Sequence, residues 1–223
     1  MNKNPDDLFF QFREYDIEIK NKIKSLNVCN KKIFLYFSSF VSKKLSEIDK
    51  NKLNDLFDIL NNLHLDENYI GYLTHPIRIA YSYANNLSKP SFDDISLALC
   101  HNIIELGFEE ELKKFPILIS DEVWRKIRLL TIERSRSKDD SYLNYYYDNI
   151  NKVPNLMLLK TLDKLDNTLW WVKLDHIKPY DSMVVKKYVC PRIITKNRFL
   201  SEYLLNLTDY VLDKNVRLNF KLN

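Results

Sequence analysis

A chain of 223 residues, 45% hydrophobic and 29% charged, carries enough apolar material for a large globular body and has no polar or low-complexity excess that would argue for disorder. Only 2 glycines and 7 prolines leave little tight-turn chemistry, which argues against a glycine-punctuated α/β sheet and for an all-α fold. The net charge of +4 is uneven: from Asn151 onward there are 13 Lys/Arg against 7 Asp/Glu, so the first 150 residues carry −2. A basic last third suits a phosphorylated small molecule or a solvated helical face; without a polybasic arm, zinc finger or RNA-recognition signature, nucleic acid is not an expected partner.

The first expected helix runs from about Asp7 to Ser25, with Asp6 and Asp7 at its positive end. A second, Ile33 to Leu45, carries the stripe Ile33, Phe37, Phe40, Val41 and Leu45, and a third, Lys52 to Leu63, carries Leu53, Leu56, Ile59, Leu60 and Leu63. These define an N-terminal helical extension over residues 1–64, followed by a helical domain over 65–223. The stripe around Tyr36, Phe37 and Phe40 reads either as core or as an exposed face for a partner or a second copy. The segment Asn68 to Tyr72 reads as a loop. Thr74 stands as an N-cap with Pro76 just inside the helix, which continues to about Leu87.

A start signal, Ser91-x-x-Asp94, opens a helix from Asp93 to Leu106 that stops at Gly107. Shorter helices follow at Phe108 to Lys114 and Asp121 to Leu130, then a charged loop, Glu133 to Asp140, and a helix from Tyr142 to Ile150. Pro154 opens a long helix to about Leu174, and a final one spans about Arg192 to Leu212. Cys29, Cys100 and Cys190 are odd in number and far apart, which fits a reducing compartment, and Cys100 reads as a small buried hydrophobe. With no apolar leader and no run of eighteen uncharged apolar residues, a cytoplasmic protein is expected.

Three segments carry polar residues inside apolar helical stretches, where burial is costly without partners. They are Leu73-Thr74-His75-Pro76, Cys100-His101-Asn102-Ile103-Ile104-Glu105, and Lys160-Thr161-Leu162-Asp163-Lys164-Leu165-Asp166-Asn167. Singly, each has an ordinary structural reading: a helix-start histidine, a satisfied core histidine, an aspartate paired with Lys160 or Lys164. Jointly, a His-Pro, a His-polar pair 26 positions later and an Asp-x-x-x-Asn helix about 60 further on form a pattern. Imidazole nitrogens and a carboxylate brought together from separate helices are a donor set for a divalent cation.

In this order and spacing the segments resemble the HD-domain superfamily, and most closely the hydrolase domain of the RelA/SpoT type. The resemblance implies a compact multi-helix HD fold in which His75, His101, Asn102 and Asp163 take the metal-ligand positions. It further implies that Glu105 orients or deprotonates the attacking water, and that Lys160, Lys164 and Asn167 meet the substrate. The cofactor implied is a divalent metal, most simply Mn²⁺; the activity is hydrolysis of a nucleotide phosphoester or of a pyrophosphate of the (p)ppGpp kind. Asn102 stands where the resemblance calls for Asp, and Leu106 where it calls for a second acid after Glu105. The site then holds −1 rather than −2 against a +2 ion, which lowers affinity and makes a bound cation more acidifying. Two outcomes are open: a hydrolase, or a degenerate HD fold that binds a nucleotide or a protein without turnover.

Overall fold

The computed structural model describes residues 34–35, 37–63, 73–173 and 178–221, with side chains at 34–35, 37–63, 73–169 and 178–213. The first expected helix and the loop around Tyr69 lie outside these residues. All regular structure among the described residues is helical, as the shortage of glycine implies. The described residues fall into two units, 1–131 and 132–223.

In the first unit the helices are α1 (Glu47–Leu63), α2 (Thr74–Asn86), α3 (Phe92–Cys100), α4 (Glu109–Lys113) and α5 (Asp121–Leu130). Helix α3 is its hub, packing on α1, α2 and α5. Seven of its nine residues are buried, and a capping box starts it: Ser91 Oγ accepts from the Asp94 N–H while the Asp94 carboxylate accepts from the Ser91 N–H. Helix α1 begins five residues earlier than expected, with Glu47 and Asp49 in its first turn, and buries Leu53, Leu56, Phe57 and Leu60. The helical turn before it ends at residue 41, not at Leu45.

Phe37 in that turn is fully buried, Phe34 stacks on Phe57 with ring centroids 3.7 Å apart, and Phe40 packs on Tyr81 at 4.4 Å. Phe37 and Phe40 are therefore packed within the unit, and the reading of this stripe as an exposed docking face is overturned for them. Tyr36 lies outside the described residues.

The second unit contains α6 (Asp140–Lys152), α7 (Leu156–Lys173), α8 (Pro179–Val184), a π-turn (Val185–Val189), α9 (Cys190–Ile193) and α10 (Arg198–Lys221). Its hub is α7, which packs on α6, α9, α10 and the π-turn. Asn155, with φ of +59°, turns the chain into α7, so the helix opens two residues after Pro154. The stretch 179–193 is helical where the sequence reading has a gap. The Cys190 N–H reaches back to the Val185 carbonyl, and Pro191 has no N–H with which to continue an ordinary ladder.

Candidate metal centre

His75 is the second residue of α2, a helix buried on every side from Thr74 to Ala84. The expected cap differs: Leu73 takes the N-cap position with helical backbone and no side-chain bond, and Thr74 is already helical. The Thr74 hydroxyl instead accepts a hydrogen bond of 3.2 Å from the guanidinium of Arg78. Arg78, 3% exposed, is a buried cation one turn beyond His75 that the sequence reading passed over. Its signal was an arginine inside the apolar run Pro76 to Ala80.

His101 follows α3 directly, because that helix stops at Cys100 and not at Leu106. Residues 101–107 form consecutive turns, closed by bonds from Ile103 N to Cys100 O and from Phe108 N to Ile103 O. Gly107 has φ of +83°, the left-handed conformation that glycine adopts without steric cost. The His101 ring contributes to the break. Its Nδ1 lies 2.7 Å from the Ala98 carbonyl, the acceptor that a continuing helix would offer to the Asn102 N–H. A carbonyl oxygen only accepts, so Nδ1 carries the hydrogen and the lone pair of the neutral ring sits on Nε2. This backbone-anchored tautomer is the arrangement that orients metal-binding histidines.

The His75 and His101 rings lie 5.4 Å apart between centroids, tilted by 58°, and both side chains are buried. Asn102 and Glu105 share the turn and are half-buried. The thiol of neighbouring Cys100 is driven far upward by burial, so it is held as an apolar filler rather than a thiolate ligand.

In the second unit Asp163 occupies the middle of α7, 3% exposed. One oxygen, Oδ1, accepts 2.8 Å from the Asn167 amide one turn ahead. The other, Oδ2, lies 3.2 Å from Lys160 Nζ one turn behind and 3.9 Å from Lys164 Nζ. Lys160 is almost as buried as Asp163, whereas Lys164 and Asn167 are half-buried. Asp166, 1% exposed, adds a second buried carboxylate three residues from Asp163. The motif pattern does not call for it, although an i, i+3 acid pair is legible in Asp163-Lys164-Leu165-Asp166.

Helix α7 tolerates this polar load because its hydroxyls bond backward. Thr161 Oγ1 donates 2.7 Å to the Met157 carbonyl, and Thr168 Oγ1 donates 2.7 Å to the Lys164 carbonyl.

The first unit thus offers two buried imidazoles with Asn102 on the same turn as His101, and the second unit offers a buried carboxylate. That set suits a borderline or hard divalent cation and lacks the thiolates of a closed structural zinc site. No helix among the described residues is long and apolar enough to cross a membrane. Compared with known proteins, the chain matches no family model, no curated protein and no solved structure.

Proposed function

We propose that the protein is a divalent-cation-dependent phosphohydrolase acting on a nucleotide, with a pyrophosphate of the (p)ppGpp type as the substrate class and Mn²⁺ as the cation. His75, His101 and Asp163 hold the cation, and Asn102 contributes its amide oxygen. One observation carries the reading: His75 and His101 are buried together in the first unit with ring centroids 5.4 Å apart, a pair of imidazoles of the kind a divalent cation takes as ligands. The buried imidazole pair and the sequence resemblance to HD hydrolases support it from separate directions.

A cation held by these residues would polarise a phosphoryl oxygen and lower the pKa of a bound water. The residues of the chain supply the rest. Ala98 fixes the His101 tautomer through its carbonyl, Asn167 holds Oδ1 of Asp163, and Glu105 accepts the proton of the attacking water. Lys164 meets substrate phosphate, and Asn167 meets the nucleotide.

Asn102 and Leu106 favour a second reading, in which the pocket binds a nucleotide without turning it over. Phosphate and pyrophosphate release from a purine nucleotide panel with Mn²⁺ separates the two, using wild type, His101→Ala and Asn102→Asp. The hydrolase reading expects turnover that His101→Ala abolishes and that Asn102→Asp raises. Metal bound by Asn102→Asp without turnover favours the binding reading, and no metal and no turnover at millimolar Mn²⁺ sinks the hydrolase reading and leaves the binding reading.

A further inference from the structure

We infer that Lys160 sets the affinity of the metal site, holding it low enough that the cation exchanges with its surroundings; the inference rests on the metal reading above. Lys160 precedes Asp163 by three residues on α7, which brings its ammonium over the same helix face. Nζ sits 3.2 Å from Oδ2, and the two side chains are 5% and 4% exposed. Among the ligands only Asp163 would bring charge, since an imidazole binds a cation in its neutral form and Asn102 is an amide. The Lys160 ammonium cancels that single charge at contact distance, inside protein, where solvent screens little.

Two effects then act against an incoming cation. The ammonium repels it, and the same ammonium holds Oδ2, one of the oxygens the cation needs. Asn167 presents a contrast on the opposite side, because its amide engages Oδ1 with no added charge. Lys164, 3.9 Å from Oδ2 and 24% exposed, is farther and better solvated, so its contribution is smaller. An ion bound beside an ammonium receives less negative charge from its ligands and is the stronger Lewis acid for it. Weak retention and strong polarisation thus follow from one residue, and the neutral Asn102 pushes in the same direction.

The test is Mn²⁺ binding to the full chain, by calorimetry and by the metal-induced rise in melting temperature. Wild type, Lys160→Gln, Lys160→Arg and His101→Ala are compared, with Lys160→Met as a second neutral variant should Lys160→Gln fold poorly. Lys160→Gln keeps a donor to Oδ2 and drops the charge. It should bind Mn²⁺ at least about ten-fold tighter and show the larger thermal rise, while Lys160→Arg stays near wild type. Equal or weaker binding by both neutral variants, with His101→Ala still abolishing it, overturns the inference and leaves the metal site standing. Binding that His101→Ala does not change, or none in any variant, removes the metal reading and this inference with it.

Discussion

Replacing Asp163 by alanine takes away a carboxylate that lies 3.2 Å from a buried ammonium. At 3.2 Å the Asp163–Lys160 attraction is about 5 kcal/mol for an effective dielectric constant of about 20. Losing one member of a buried pair costs about 3–5 kcal/mol in measured cases. For a protein of this size each kcal/mol is about 2–4 °C of melting temperature, so Asp163→Ala should melt about 6–20 °C lower. Asp163→Asn should recover only a part, because it returns the shape and an acceptor but not the charge. The double variant Asp163→Leu, Lys160→Met should return to within about 1 kcal/mol of wild type, since well-packed apolar pairs substitute for buried ion pairs. Thermal and urea denaturation in EDTA, arranged as a double-mutant cycle, reads the coupling without any metal contribution. Additive single effects, or an Asp163→Ala protein within 1 kcal/mol of wild type, would refute the buried-pair account.

Three further outcomes are expected. Ser91→Ala removes one arm of the capping box that starts α3 and should cost about 1 kcal/mol in urea denaturation, with Ser91→Thr restoring most of it. Burial pushes the Cys190 thiol up to about 11 and the Cys100 thiol further in the same direction, so a Cys29→Ser protein should show no thiol reactive to DTNB at pH 8 until urea exposes two. The bonds from Lys187 and then Tyr188 hold the Asp140 carboxyl below the ordinary aspartate range. A depressed folded-state value means that this stabilisation is present above the unfolded aspartate value and is lost as pH falls through the lowered one. An Asp140→Asn protein should therefore show a flatter loss of stability below about pH 4 than wild type.

Much of the helical order was legible because it rests on local signals. Helix α5 begins and ends where expected, at Asp121 and Leu130, and Ser91 with Asp94 marks the opening of α3 to within a residue. Burial of His75, His101 and Asp163 was legible too, since each polar residue sits in an apolar stretch. The break at Cys100 was not, because it depends on a side chain competing for the Ala98 carbonyl, and periodicity does not register such competition. Residues 179–193 escaped for a related reason: the β-branched pair Val184-Val185 and Pro191 weaken a helical reading that packing on α7 and α10 restores. Arg78 and Asp166 were passed over because a single charge in an apolar helix reads as surface until its burial is seen.

Because the chain leaves helical geometry at His101, Asn102 and Glu105 hang from a short run of turns closed by Gly107 rather than from a packed helix. Asparagine and aspartate are nearly identical in volume, and residue 102 is half-buried on that run of turns. Exchanging the amide at 102 for a carboxylate therefore changes the local charge with little change of shape. Charge at this corner of the protein can be altered without rebuilding the helices that flank it.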